Sequence, residues 1–137
     1  MTQQNLIVIG NGMVGHHFLE QLAESGQAHR FHVTVLGEER HIAYDRVHLS
    51  EYFQGKSADD LAFSTADQYV QWGFNLRLNT AATAIDRESR TLTLDNGETL
   101  AYDKLVLATG SYPFVPPIEG NDREDCLVYR TLDDLDA

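Results

Sequence analysis

The residues best suited to chemistry are three glycines near the start of the chain, within the stretch LIVIGNGMVGHHF at residues 6–18. Gly10, Gly12 and Gly15 have the G-x-G-x-x-G spacing of a loop that holds a dinucleotide pyrophosphate. The first glycine permits a tight turn, the second lets the backbone approach the pyrophosphate, and the third lets the helix pack closely on the strand. With the amides of Met13 and Val14 at the helix start, these glycines predict a dinucleotide site. The alternative is a strand–helix turn without a ligand.

A second candidate is Glu38, which lies roughly 20 residues beyond the loop, where such sites carry an acid. Its carboxylate would accept hydrogen bonds from both hydroxyls of an adenosine ribose and would repel a 2′-phosphate. This acid does not distinguish NAD from FAD, because both carry a free 2′-hydroxyl. A solvated surface acid is the alternative for Glu38, and it is the interpretation we favour for Glu39.

Other kinds of chemistry find little support. The six histidines form no convincing ligand set, so we predict no metal site. No Ser/His/Asp or Cys/His pattern is present, and we predict no catalytic side chain, since hydride chemistry belongs to a bound cofactor. The one cysteine, Cys126, allows neither an internal disulfide nor a cysteine-held iron–sulfur cluster, and we expect a small apolar residue.

Composition narrows the class of protein further. The chain has 137 residues, 42% of them hydrophobic, and a formal net charge of −11. That length and composition predict one globular domain over residues 1–137. The acidic balance argues against nucleic acid or an anionic membrane as partner. The start, MTQQNLIVIG, resembles neither a signal peptide nor a membrane span, so we expect a cytoplasmic protein.

The elements that position the loop follow from the apolar pattern. The run at 6–9 predicts a strand buried on both faces, and FHVTVL at 31–36 predicts a second parallel strand. Between them we predict a helix that Gly26 terminates. Its apolar stripe is formed by Val14, Phe18 and Leu22.

The rest of the chain alternates between loops and short elements. Residues 41–56 predict a loop with one short helical stretch, and 65–72 predict a helix capped by Ser64 or Thr65 and ended by Gly73. Strand-like FNLRL and ATAID follow. Residues 91–102 predict a hairpin around Asp95-Asn96-Gly97, and KLVLATG at 104–110 returns to a buried strand.

This order favours FAD as the resident cofactor. A simple NAD-binding domain continues β-α-β-α-β, whereas flavoproteins with two dinucleotide sites insert an antiparallel meander and return on a strand ending in Ala-Thr-Gly. Here those residues are Ala108, Thr109 and Gly110. We therefore predict an α/β, Rossmann-like FAD/NAD(P)-binding fold with a parallel sheet and an antiparallel β-meander.

Four stretches resemble the amino-terminal end of the large subunit of NAD(P)H-dependent nitrite reductases: IGNGMVGHHF, EERHIAYDRVHLS, YDKLVLATGSYPFVPPIEG and VYRTLDDLDA. The resemblance implies that electrons pass from NAD(P)H through FAD to a 4Fe-4S cluster and siroheme, where nitrite becomes ammonium. It also implies which residues contact FAD: Gly12, Met13, Glu38, Arg46, Ser50, Ala82, Thr109 and Gly110. A guanidinium at Arg46 suits a phosphate or a flat ring, and the alternative is a surface ion pair with Asp45 or Glu51.

The sequence departs from the related ferredoxin reductases at one position. Those flavoproteins often read LSK, with a lysine near the flavin, whereas this chain reads Leu49-Ser50-Glu51. We therefore carry no lysine role onto Glu51.

The resemblance also implies missing parts. Only one G-x-G-x-x-G is present, so we expect an incomplete FAD domain, a fragment of a longer protein that alone is inactive. The NAD(P)H site, cluster and siroheme are expected elsewhere in that polypeptide, and the rest of the polypeptide and a small subunit are candidate partners. Self-association of the fragment is a further expectation.

Three functions stay open at this point. The chain is part of a nitrite reductase, or of an FAD-dependent NAD(P)H reductase that serves a ferredoxin, rubredoxin or nitrate reductase partner. The third interpretation is a nucleotide-binding or interaction module without redox function.

Overall fold

A parallel sheet forms the centre of the chain in the computed structural model, which describes residues 2–137. Its strand order is β3-β2-β1-β7. The strands are Gln4–Ile9 (β1), Phe31–Leu36 (β2), Asn75–Arg77 (β3) and Lys104–Leu107 (β7). The predicted second strand at 31–36 is confirmed residue for residue. Asn75–Arg77, which the sequence places only before the meander, joins the parallel sheet beside β2.

The register brings three strand ends to one edge of this sheet. Ile9, the last residue of β1, pairs with Leu36 of β2 on one side and with Leu107 of β7 on the other. The loops that leave these strands therefore start at the same level. Ligands of open parallel sheets bind at this carboxyl edge.

Helix α1, Met13–Glu24, covers one face of the sheet and ends at Ser25, with Gly26 at a φ of +76° as expected. The predicted stripe is wrong at Val14, whose side chain is 72% exposed. The buried residues of α1 are Gly15, His16 and Leu19. Val14 lines the cleft at the start of α1 instead, whereas Phe18 and Leu22 pack against the core.

An antiparallel meander covers the opposite face. Its three strands are Ala82–Asp86 (β4), Thr91–Leu94 (β5) and Thr99–Ala101 (β6), in the order β4-β5-β6. Leu92 and Leu94 of β5 pack on Ile7 and Leu36 of the parallel sheet. The meander and the hairpin predicted at Asp95-Asn96-Gly97 are therefore confirmed.

The connection from β2 to β3 is helical in three places. A 3-10 helix spans Arg46–Gln54, α2 spans Ala58–Leu61 and α3 spans Ala66–Trp72. The predicted limits of α3 are confirmed, because the Thr65 side chain accepts from the Gln68 amide and Gly73 adopts a φ of +81°. None of the described helices is both long and apolar enough to cross a membrane.

After β7 the chain is exposed, extended up to residue 118 and turning at 119–125, until a short last helix, α4, at Leu132–Asp136. Leu132 and Leu135 pack against Tyr44, Leu49 and Leu61, which returns the chain to the loop at residues 40–45 (the 40s loop). Cys126 lies in the extended segment and is exposed, so the expectation of a packed apolar residue is wrong. Its Sγ contacts the Gly120 carbonyl at 3.3 Å.

Candidate dinucleotide-binding site

A cleft of about 800 Å³ lies along the carboxyl edge of the parallel sheet. This volume is within the usual range for small-molecule and cofactor sites. The cleft is lined by the ends of β1, β2 and β7, the start of α1 and residues from the last ten positions. Eleven of the twelve predicted site residues belong to this neighbourhood, ten of them as lining residues: Gly10, Gly12, Met13, Val14, Glu38, Arg46, Ala82, Ala108, Thr109 and Gly110.

The eleventh, Gly15, lies directly behind the loop. A Cβ at Gly15 would stand 2.2 Å from the Gly10 carbonyl oxygen, and one at Gly10 would stand 2.0 Å from the Ala108 carbonyl oxygen. Gly10 also has a φ of +113°. These two glycines therefore let β1, α1 and the end of β7 approach each other.

Gly12 differs from its two neighbours in the motif. A Cβ there would meet nothing within 4 Å, so the space beside it is open. Its backbone is extended, with φ −99° and ψ −158°, a conformation that any residue can adopt. The fold itself therefore does not require the absence of a side chain at Gly12.

The start of α1 lacks the polar cap that the other α-helices of residues 2–137 have. No side chain caps it and its first turn contains no acid. The other three α-helices are each capped by a hydroxyl, from Ser57, Thr65 or Thr131, and each has an acid in the first turn. The positive end of the α1 dipole and its free amides are therefore available to an anion in the cleft.

Glu38 is exposed at the end of β2, where the cleft begins. Its carboxylate accepts a hydrogen bond from the Tyr112 hydroxyl, across the cleft mouth. This contact raises the pKa of Tyr112 and joins the β2 edge to the segment after β7. Tyr112 itself is 75% exposed.

The interpretation of Glu39 as a solvated acid is wrong. Its side chain is 22% exposed and forms an ion pair with Arg46, whose side chain is 16% exposed. Glu39 also accepts from the Tyr44 hydroxyl at 2.6 Å. Burial is the main cause, and this hydrogen bond the second, that raise the pKa of Tyr44. The Glu39 carboxylate is thus a structural partner of Arg46 and Tyr44.

Arg46 therefore does not form the alternative surface ion pair with Asp45 or Glu51. Besides Glu39, it donates to the Tyr44 hydroxyl at 2.7 Å and to the Arg130 carbonyl at 2.8 Å. Its guanidinium lies 4.7 Å from the centre of the Tyr44 ring. Arg46 lines the cleft, but much of its donor capacity is already used within the protein.

Sequence reasoning missed Arg130. It lines the cleft, and within residues 2–137 its guanidinium forms no ion pair. Arg130 Nε donates to the Ser111 carbonyl at 3.3 Å, and one terminal nitrogen lies 3.6 Å from where a Gly110 side chain would begin. A guanidinium without an ion-pair partner among the described residues thus lies beside the Ala-Thr-Gly segment. Its distance along the chain from the glycine loop explains why no local pattern indicated it.

Ser50 is the predicted site residue that the cleft does not include. It lies on the 3-10 helix Arg46–Gln54, is exposed, and is not among the lining residues. Its contact with a cofactor stays a prediction. No group of three or more His, Cys, Asp or Glu side chains arranged to hold a metal occurs among residues 2–137.

Comparison with known families agrees with this geometry. Residues 4–137 match the profile of the pyridine nucleotide-disulphide oxidoreductases. The chain belongs to this family. The disulphide of the family name has no counterpart here, since the chain contains one cysteine.

Among members of the pyridine nucleotide-disulphide oxidoreductase family, similarity to nitrite reductases extends over the whole chain. It is 52% identical over 136 residues to the nitrite reductase [NAD(P)H] large subunit of Klebsiella oxytoca, covering 99% of this chain and 14% of that protein. It is 46% identical over 137 residues to the nitrite reductase (NADH) large subunit of Escherichia coli K12, covering 100% and 16%. The chain thus spans about a seventh of the length of these relatives and resembles their N-terminal region.

A solved structure shows the same fold. The crystal structure of a ferredoxin reductase from Rhodopseudomonas palustris aligns with a TM-score of 0.82 and 28% identity, covering 98% of this chain and 33% of that one. The predicted α/β, Rossmann-like FAD/NAD(P)-binding fold with a parallel sheet and a meander is confirmed.

The residues of the cleft fit a dinucleotide pyrophosphate. Open space adjoins Gly12, and the α1 amides lack a protein acceptor. Arg130 offers a guanidinium beside Gly110 that has no acidic partner within residues 2–137. An uncapped helix start is less stable than a capped one, and an anionic ligand would supply the missing acceptor.

Proposed function

We propose that this chain is the FAD-binding part of the large subunit of an NAD(P)H-dependent nitrite reductase. In that protein, electrons from NAD(P)H would pass by way of FAD towards iron–sulfur and siroheme centres that reduce nitrite to ammonium. The observation that carries the proposal is the 52% identity to the Klebsiella oxytoca large subunit over 99% of the chain. The fold supports it, because the cleft lies at the carboxyl edge where dinucleotides bind.

Different residues of the cleft would bind different parts of FAD. The backbone of Gly12, Met13 and Val14 would hold the pyrophosphate at the start of α1, and Arg130, beside Gly110, would help to neutralise it. Glu38 would accept hydrogen bonds from the adenosine ribose. Small side chains at Ala82, Ala108 and Gly110 leave room for the backbone to pass close to the rings.

The chemistry of electron transfer is supplied by the isoalloxazine ring when FAD is bound. Residues 1–137 would bind and orient the FAD, and the sequence accordingly predicts no catalytic side chain among them. NAD(P)H, the 4Fe-4S cluster and siroheme are assigned to other parts of the polypeptide, with which this chain would pack. A small subunit and a cytoplasmic location belong to the same proposal.

A second function has specific support. The ferredoxin reductase of Rhodopseudomonas palustris shares the fold at a TM-score of 0.82 and 28% identity. In this alternative the same FAD site would serve an NAD(P)H reductase whose electrons leave to a ferredoxin, rubredoxin or nitrate reductase partner.

One preparation tests both functions. The full-length polypeptide is purified, its visible spectrum is recorded, and NAD(P)H oxidation is followed with nitrite, then with a ferredoxin. A flavin spectrum with nitrite-dependent turnover is expected. Turnover with ferredoxin alone would favour the second function, and absence of flavin would leave a nucleotide-binding module without redox function.

A further inference from the structure

We propose that Tyr69 and His16 are positioning residues for the dinucleotide loop, which they hold through Asn11. Asn11 is the residue between the first two glycines of the motif. The inference rests on the proposed function, because it concerns the loop that would bind the pyrophosphate of FAD.

Both polar atoms of the Asn11 side-chain amide form hydrogen bonds. Its Nδ2 donates to the Tyr69 hydroxyl at 2.9 Å, and its Oδ1 accepts from the Ala43 amide at 2.9 Å. The first bond reaches α3 and the second reaches the 40s loop. One side chain of the loop therefore ties it to two elements distant in sequence.

Tyr69 connects this amide to α1. The tyrosine is fully buried, and its hydroxyl lies 2.7 Å from His16 Nδ1. The hydroxyl accepts from Asn11, and within residues 2–137 the one other polar atom within hydrogen-bond distance of it is His16 Nδ1, to which we assign its proton. The imidazole is then neutral and carries its proton on Nε2, 3.7 Å from a Glu20 carboxylate oxygen.

His16 is 5% exposed, and burial lowers its pKa, which keeps the ring in the accepting form. The charged and titratable groups that face it are Glu20 and His17 on its own helix and Tyr69 from α3. Phe63 stacks on the ring at 5.6 Å and Trp72 lies at 6.1 Å, and neither carries a charge. The hydrogen bonds thus run in one direction, from Asn11 through Tyr69 to His16.

The loop needs such an anchor because glycines are conformationally free. Gly10 is held by its own amide, which donates to the Leu36 carbonyl at 2.8 Å. The next anchored position is Asn11, and Gly12 and Met13 follow directly. A fixed Asn11 holds the amides of Gly12 and Met13 towards the cleft before a ligand arrives, which lowers the entropy lost on binding.

Packing and positioning can be separated with matched variants. Tyr69→Phe removes the hydroxyl and keeps the ring, whereas Trp72→Phe trims the same aromatic cluster without touching Asn11. The readouts are the FAD dissociation constant of the full-length apoprotein, its unfolding midpoint, and hydrogen exchange, without FAD, of the Ala43 amide that donates to Asn11 Oδ1. For Tyr69→Phe we expect about three- to tenfold weaker FAD binding, the effect of one hydrogen bond, and faster exchange of the Ala43 amide.

Trp72→Phe should lower the unfolding midpoint while FAD binding and exchange of the Ala43 amide stay as in the wild type. A second pair tests His16: His16→Asn keeps an acceptor near the Nδ1 position and should retain FAD binding that His16→Leu weakens. The proposal is overturned if Tyr69→Phe leaves exchange of the Ala43 amide unchanged, or if both aromatic variants weaken FAD in proportion to their lost stability. A wild-type protein that binds no FAD would instead refute the proposed function, and the exchange measurement would still decide this inference.

Discussion

At the level of single residues, the three glycines of the motif have separable roles. Gly10 and Gly15 are required by the fold, because added carbons would lie 2.0 Å and 2.2 Å from carbonyl oxygens. Gly12 has open space and an ordinary extended backbone. Folding and binding can therefore be tested at neighbouring positions of one loop.

Gly12→Val should abolish FAD retention and leave folding nearly intact. The branched side chain would fill the space beside the α1 amides that the pyrophosphate needs, and its Cβ would have no protein atom within 4 Å. Flavin content of the purified full-length protein and its unfolding midpoint are the measurements. Gly15→Ala is the control and should lose stability by about 1–3 kcal/mol through overpacking. Wild-type flavin content in Gly12→Val would show that the loop is only structural.

Glu38 and Glu39 should respond to alanine in opposite ways. Glu38→Ala should weaken FAD by about 1–3 kcal/mol, the range for hydrogen bonds to a charged group, with little change in stability. Glu39→Ala removes the partner of a half-buried Arg46 and should lower the free energy of unfolding by about 1–3 kcal/mol. Titration with FAD and urea unfolding of each variant distinguish the two. Equal, negligible effects on FAD from both variants would remove Glu38 from the site.

At the level of elements, local patterns predicted the strands and helix limits well. The limits of FHVTVL and of the helix after Thr65 match the structure because β-branched runs, caps and stop glycines act within a few residues. The place of β3 beside β2 could not be predicted, since a three-residue strand carries no signal of its partner.

The same distinction applies to the site. The glycine loop and the Ala-Thr-Gly segment could be found because each is a contiguous motif. Arg130 and the Arg46–Glu39 pair could not, because the Arg46 guanidinium reaches a carbonyl 84 residues away in the sequence. The partnership of Asn11 with Tyr69 likewise spans 58 residues and depends on how α3 packs on α1.

The contact of α1 with α3 should make the stability of the chain depend on pH. Burial lowers the pKa of His16 below its ordinary 6.5, so its contribution is present above pH 6.5 and is lost as the pH falls through the folded value. His48 behaves oppositely, because its hydrogen bond to the Asp45 carboxylate raises its pKa above 6.5. Its contribution is present below pH 6.5 and is lost as the pH rises through the folded value.

NMR titration of the histidine rings measures both shifts directly, and urea unfolding between pH 5 and pH 8 measures their consequence. We expect the His16→Asn variant to lose stability less than the wild type does as the pH falls below 6.5. A His16 ring that titrates above 6.5 would contradict the neutral, accepting form assigned to it.

At the level of the whole molecule, the described chain leaves apolar surface uncovered. In the segment after β7, Phe114 is 83% exposed, Tyr112 75% and Ile118 65%. β7 is also an edge strand of the parallel sheet, with β1 as its neighbour on one side. Exposed apolar patches and strand edges are features that a further part of a polypeptide, or a second copy, commonly covers.

The isolated 137-residue chain should therefore bind FAD weakly and associate with itself. Its cleft supplies contacts for the pyrophosphate and adenosine, but the segment proposed to close over the isoalloxazine belongs to the remainder of relatives of which this chain covers 14–16%. Contacts left unmade reduce affinity, and the uncovered apolar residues favour concentration-dependent association. Calorimetric titration with FAD, an NAD(P)H–nitrite assay and size-exclusion chromatography at several concentrations measure these properties. The purified chain should be nearly colourless and should not oxidise NAD(P)H with nitrite. Stoichiometric, submicromolar FAD binding with turnover would show that these residues form a complete catalytic unit, and that the proposed division of the protein is wrong.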